Sequence, residues 1–161
     1  MLITFVPTQP SDAEALVLLR IEAMRESLER IARFDPVRAQ ERFLSTFVPE
    51  HTRHIEADGT RVGFVVVKPA TDCLLLDHLY IRPGAQGKGI GAAVLAQVFA
   101  QADAAALPVR VGALRESGSN RFYLRHGFKM VEQSEFDNYY IRPYQQGTPM
   151  EIRRLSPDAA D

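Results

Sequence analysis

One cysteine, Cys73, is all that the 161 residues contain, which excludes an internal disulfide and any multi-cysteine zinc knot and suits a reducing compartment. An excess of either charge is also missing. Nineteen basic residues against 20 acidic ones give a formal net charge of -1, too balanced for a domain whose main task is gripping a nucleic-acid backbone, so no nucleic-acid partner is expected. No stretch approaches the roughly 18 uncharged apolar residues of a membrane span. The opening MLITFVPTQPSDAE lacks a positively charged leader. Neither secretion nor membrane spanning is expected, and the sequence reads as cytoplasmic. Internal repeats, low-complexity tracts and long linkers are absent too. With 46% apolar and 24% charged residues, near the globular mean, the chain should fold by itself around one core.

Leu2 to Val6 reads as a first strand, closed by Pro7 and Pro10. Ser11 with Glu14 has the spacing of a reciprocal capping pair. Val17, Ile21, Met24, Leu28 and Ile31 then recur at steps of four and three, lining one face of a helix. Asp35 then Pro36 starts a second helix, with Phe43, Leu44 and Phe47 as its apolar side before Pro49. HTRHIEA and TRVGFVVVK are two strands joined by Asp58-Gly59 in a type I′ hairpin. Leu74 to Ile81 is the next strand, ended by Pro83 and Gly84. Gly91 to Asp103 follows as a helix carrying Val94, Leu95, Val98 and Phe99 inward. Val109 to Leu114 is a strand, and Asn120 to His126 a short helix stopped by Gly127. Phe128 to Glu135 and Asp137 to Ile141 close the sheet. Met150 to Leu155 is a last weak strand, before a frayed tail from Ser156 to Asp161. The expected fold is one α/β (α+β) domain over residues 1–155, a mixed, mostly antiparallel sheet of about six to seven strands with about four helices on its faces.

Four of the chain's 10 glycines, Gly84, Gly87, Gly89 and Gly91, fall within eight residues between a strand and a helix. Glycine lets successive backbone N–H groups turn toward a ligand without a Cβ in the way, and the helix start over Gly89 to Ala93 adds unpaired donors and positive dipole. That concentration points to phosphate. A P-loop fails twice, because Lys88 is followed by Gly89 and the position five before Gly87 is Arg82. Gly87-Lys88-Gly89-Ile90-Gly91-Ala92 satisfies G-x-G-x-x-[GA], but antiparallel strands precede it and VRVGAL is not ended by an acid, so a dinucleotide site fits poorly.

The same residues, Gln86-Gly87-Lys88-Gly89-Ile90-Gly91, resemble the Q/R-x-x-G-x-G/A signature of the GCN5-related N-acetyltransferase (GNAT) superfamily. The element order resembles that family over residues 1 to 142, and Phe122-Tyr123 with Gly127-Phe128 resembles its second element, F-Y-x-x-x-G-F. The resemblance implies acetyl-CoA as co-substrate, with no metal. It places Leu79, Tyr80 and Ile81 along the pantetheine arm, Gln86, Gly87, Lys88, Gly89, Ile90, Gly91 and Ala92 around the pyrophosphate, and Tyr123 at the thioester sulfur. Family members often carry an asparagine seven residues before the tyrosine, where this chain has Glu116; Asn120 or Ser119 would then supply that contact.

Acyl transfer needs a neutral amine, and an alkyl ammonium of pKa about 10.4 costs roughly 4 to 5 kcal/mol to deprotonate at neutral pH. Asp77 and His78 are the nearest ionisable groups upstream of the coenzyme arm, and strand alternation sends them to opposite faces, so only one can face the acceptor. The resemblance favours Asp77, as direct base or as anchor of a relay water. A carboxylate of ordinary pKa about 3.9 is a feeble base, so the role needs burial or a relay. His78 is the other candidate, since imidazole titrates near neutrality. The leaving thiolate needs a weak acid about 3 Å away, a role for the Tyr123 phenol, and a backbone N–H near Leu79 would meet the oxyanion.

His51 and His54 form H-x-x-H, but on a strand they face opposite ways and lack a third ligand. Arg110, Arg115, Arg121 and Arg125 surround the second motif, where they meet either the coenzyme's 3′-phosphate or only solvent. The acceptor is expected over Arg33, Phe34 and Asp35 and against Phe136 to Tyr140, where Phe34, Phe136, Tyr139 and Tyr140 serve either an aromatic acceptor or the core. Because no cysteine lies in the motifs, direct transfer of acetyl to a primary amine in a ternary complex is the leading reading. The alternatives are a non-catalytic acyl-CoA-binding sensor domain of the same fold and a nucleotide-binding module. The exposed closing strand admits a homodimer.

Overall fold

A computed structural model describes residues 1–30 and 35–146. Seven strands form one sheet: β1 (Ile3–Pro7), β2 (Thr52–Ala57), β3 (Thr60–Pro69), β4 (Leu74–Ile81), β5 (Val109–Leu114), β6 (Lys129–Gln133) and β7 (Asp137–Arg142). Their spatial order is β1-β2-β3-β4-β5-β7-β6, with β4 and β5 parallel and every other pair antiparallel. The helices are α1 (Ala13–Arg30), α2 (Pro36–Thr46), α3 (Ile90–Ala104) and α4 (Ser119–Arg125). Asp58 and Gly59 both take positive φ, 50° and 82°, which is the type I′ turn that fits the twist of β2 and β3.

Each face of the sheet has its own apolar layer. On one, α3 inserts Ile90, Val94, Leu95 and Val98 against Val65, Leu76 and Val109, joined by Tyr123 and Phe128. On the other, Leu16, Val17 and Leu19 of α1 and Phe43 of α2 cover Phe64 and Val66. Leu44, expected inward, is 40% exposed, because the apolar side of α2 closes on Phe43 and Phe47 instead. Arg142 ties β7 to α3, donating to the Asp103 carboxylate at 2.6 and 3.2 Å and lying 4.1 Å over the Phe99 ring.

Two local expectations need correction. The turn ahead of α1 starts before Ser11: Pro10 opens a short 3-10 segment, and the Asp12 carboxylate, rather than Glu14, accepts the Gln9 N–H at 2.8 Å. Asp12 also holds His54 Nε2 at 3.0 Å, fastening the front of α1 to β2. Alternation along β4 breaks as well. Opposite β3, Val66 pairs with His78 but Val67 pairs with Leu76, so Asp77 is the extra residue of a β-bulge. The bulge shifts the parity by one. Leu74 and Leu76 face α3, whereas His78 and Tyr80 face α1 and α2, packing on Phe43 and Phe64. The expected strand from Met150 to Leu155, the tail, and the side chains of Leu28, Ile31, Arg33 and Phe34 lie outside the described residues.

Candidate active site

β4 and β5 are joined only where Leu74 to Leu76 pair with Val109 to Val111; no further rung links them among the described residues. From Asp77 onward β4 keeps β3 on one side and opens on the other. The ladder fixes which groups face the gap: Arg82 N–H donates to the Val62 carbonyl at 2.7 Å, so by antiparallel alternation Leu79 and Ile81 turn their backbone N–H and C=O away from β3. The Ile81 carbonyl accepts the Gln86 side-chain amide at 2.9 Å, which pins the start of the glycine loop to the strand end. Gly87 and Gly89 sit at φ 77° and 82°, and a Cβ on either would meet nothing within 4 Å. Both point into open space. At the front of α3 the Ala93 N–H donates to the Gly89 carbonyl at 3.1 Å, and the N–H groups ahead of it lie in the orphan positions of a helix start. The start of α3 therefore offers unpaired donors and the positive end of the helix dipole, with Lys88 exposed beside it.

The gap opens into a cleft of about 1130 Å³. Asp77, His78, Leu79, Tyr80, Ile81, Gln86, Ser119 and Tyr123 all line it; Gly87 to Ala92 continue from Gln86 along the loop. The bulge puts Asp77 and His78 on the same wall, with Asp77 Oδ2 3.6 Å from His78 Nε2, so the expectation that only one could face the acceptor is overturned. Asp77 Oδ2 also accepts Lys68 Nζ at 2.9 Å. His78 Nδ1 lies 3.1 Å from the Tyr80 hydroxyl, which accepts Arg20 Nε–H at 3.3 Å. The Tyr80 hydroxyl thus bridges the Arg20 guanidinium and the His78 ring, whose other nitrogen faces Asp77. Burial pushes the His78 imidazole down to about 4; Asp77 opposes that shift, while Arg20 and Lys68 add to it. Burial likewise raises the Tyr80 phenol, against Arg20.

Tyr123 reaches the cleft from α4 with 5% of its surface exposed, its ring held edge-on to Phe128 at 5.2 Å and beside Tyr140 at 6.3 Å. Burial, with a smaller push from Tyr80, moves its phenol well above the usual range, and no described residue hydrogen-bonds its hydroxyl. Asn120 sits differently. Its Nδ2 donates to the Leu114 and Ser117 carbonyls at 2.7 and 2.8 Å, and its Oδ1 accepts from Asn138 Nδ2 at 2.9 Å and the Tyr140 hydroxyl at 2.7 Å. Both ends of the amide are committed to clasping the β5–α4 turn onto β7. Asn120→Ala strands two buried donors and should cost about 2 kcal/mol of unfolding free energy in urea titrations, with Asn120→Asp, which keeps an acceptor, recovering part.

Sequence reasoning missed Lys68, Arg20 and the Gly112–Tyr139 contact. Lys68 shares the parity of Phe64 and Val66, so an apolar strand ending in lysine was a usable signal. A Cβ at Gly112 would come within 3.2 Å of the Tyr139 ring, so glycine lets that ring pack onto β5, where both residues line the cleft. Asp35 and Tyr140 line it as well. No group of three or more His, Cys, Asp or Glu side chains is placed to hold a metal among the described residues. Nor, among them, is any helix long and apolar enough to cross a membrane.

The fold is similar to that of solved acetyltransferases. PaiA N-acetyltransferase from Thermoplasma acidophilum, in complex with coenzyme A, superposes with a TM-score of 0.74 at 20% identity, covering 89% of this chain and 100% of that one. An acetyltransferase from Thermus thermophilus gives 0.66 at 20% identity over 89% and 97%. A GNAT family acetyltransferase from Elizabethkingia anophelis with acetyl-CoA bound gives 0.52 at 14% identity over 57% and 74%. No curated protein matches the chain in sequence. The sequence model for the acetyltransferase (GNAT) domain matches residues 49–130, just over half of the chain, and that span holds the bulged strand, the glycine loop and Tyr123 together; the chain belongs to the GNAT acetyltransferase family.

Proposed function

We propose that the protein transfers the acetyl group of acetyl-CoA to a primary amine by direct attack in a ternary complex. One observation carries this reading: β4 parts from β5 at Asp77, and the free strand edge leads straight to the glycine loop. Leu79 and Ile81 offer the amide-like pantetheine arm a strand to pair with, and Gln86 to Ala92 offer its diphosphate main-chain donors. Ser119, at the cleft wall, is the contact proposed from the α4 segment; Asn120 supports it from behind.

The neutral amine nitrogen attacks the thioester carbonyl carbon, and the Leu79 N–H donates to the oxyanion. The amine's proton passes through a water held on Asp77, which Lys68 fixes in place. His78 is disfavoured as base because burial holds its imidazole down and its two ring nitrogens face Tyr80 and Asp77; it orients those side chains instead. As the C–S bond breaks, the thiolate takes the Tyr123 proton, and the phenolate regains one from solvent through the cleft.

Calorimetric titration with coenzyme A and acetyl-CoA tests the reading. Heat from both, followed by steady thiol release when an amine is added, is the expected result. Gly89→Val, which puts a branched side chain at φ 82° and into the ligand's space, should weaken coenzyme binding at least about tenfold. No heat from either ligand far above micromolar concentration overturns the reading. Heat without turnover across a broad amine panel identifies a binding domain instead.

A further inference from the structure

The half of the cleft beyond the thioester carries an uneven distribution of charge. Arg38 and Arg42 stand four residues apart on α2, on one helical face, and both line the cleft. Among the described residues neither guanidinium makes a hydrogen bond or an ion pair. Of the carboxylates lining the cleft, Asp35 caps α2 by accepting the Arg38 backbone N–H at 3.2 Å, and Asp77 holds Lys68 at 2.9 Å. Arg20 adds a third guanidinium, fixed against Tyr80. Across the cleft, β6 and β7 contribute Glu132 and Asp137. Asp35, Asp77 and Arg110 line the cleft too, so both signs are present on it, and the Arg38–Arg42 pair together with the acids of β6 and β7 complements a molecule with an ammonium at one end and an anion at the other.

We propose that the acceptor is a small amine that also carries a carboxylate or phosphate, and that Arg38 and Arg42 bind this anionic group; the proposal rests on the acetyl-transfer reading above and names its acceptor class. A planar guanidinium pair matches the oxygens of either anion. A purely cationic polyamine would bring its second ammonium against unpaired guanidiniums and is selected against by like-charge repulsion.

The test compares kcat/KM at saturating acetyl-CoA for β-alanine, O-phosphoethanolamine, ethanolamine and putrescine, primary amines that differ at the far end. At least one of the two anionic amines should be preferred about tenfold or more over ethanolamine and putrescine, and which of them is better separates carboxylate from phosphate. In the double variant Arg38→Gln, Arg42→Gln that preference should fall about tenfold through the KM of the anionic amine, with the KM of acetyl-CoA moved less than twofold. Arg53→Gln, on β2 away from the cleft, serves as the control and should change neither. Equal or better use of ethanolamine or putrescine overturns the proposal while leaving acetyl transfer standing. So does turnover of none of the four by a protein that binds acetyl-CoA, or a rise in the KM of acetyl-CoA in place of the acceptor's. Absence of coenzyme heat sinks both readings together.

Discussion

Tyr123→Phe should lower kcat by about 100-fold to 1,000-fold while leaving the KM of acetyl-CoA within a factor of about two. The substitution removes one oxygen that no described residue hydrogen-bonds and keeps the ring that packs on Phe128 and Tyr140, so the fold has little reason to respond. Its effect should therefore be confined to the departure of the thiolate. Burial keeps the phenol protonated across the working pH range, which suits a donor and rules it out as the base. Asp77→Asn complements it. Losing the carboxylate frees Lys68 and removes the proposed relay anchor, so kcat should fall about tenfold or more, with the loss growing as pH drops and more of the amine is protonated. Single-turnover thiol release at several pH values reads both effects. If both variants retain full kcat, the roles given to these two side chains are wrong even where the activity is right.

The second large effect is on stability. Burial holds the His78 imidazole at about 4, against an ordinary 6.5. Between those values the unfolded chain binds a proton that the folded chain does not, so stability is full above about 6.5 and is lost as pH falls toward 4. The window is worth up to about 3 kcal/mol. Asp12 and Asp103, both held below the usual carboxylate value of 3.8, weaken the fold only as pH falls further, so their contribution separates from that of the histidine. Urea titrations from pH 7 to 4 should show the slope in wild type and lose it in His78→Gln, whatever that variant's stability at neutral pH. A wild-type curve flat through this window would mean that His78 protonates freely in the folded protein.

Much of the architecture was legible because strong local signals bound it. β4 and β5 have the limits read from sequence, Leu74–Ile81 and Val109–Leu114, since proline and glycine flank apolar β-formers. The Asp35 cap and the Asp58-Gly59 turn are equally local. What escaped depends on partners far along the chain. The bulge at Asp77 exists only in register with β3, so single-strand alternation placed Asp77 and His78 on opposite sides. Arg20 meets Tyr80 across 60 positions, and Asn120 meets Asn138 and Tyr140 across 18 and 20. Spacing rules carry no information about such meetings. The left-handed turns at Gly87 and Gly89 were readable because backbone conformation is written directly in residue type, whereas the charge pattern of α2 acquires meaning only once Glu132 and Asp137 are seen lining the same cleft.

Among the described residues, three residue pairs join the ladder of β1 to β4 to the ladder of β5, β7 and β6. A thioester arm threaded into that seam would act as a splint, its amides standing where a strand's rungs are missing. The substrate would then be a temporary structural member of the sheet, and each turnover would begin by stiffening the enzyme and end by loosening it again.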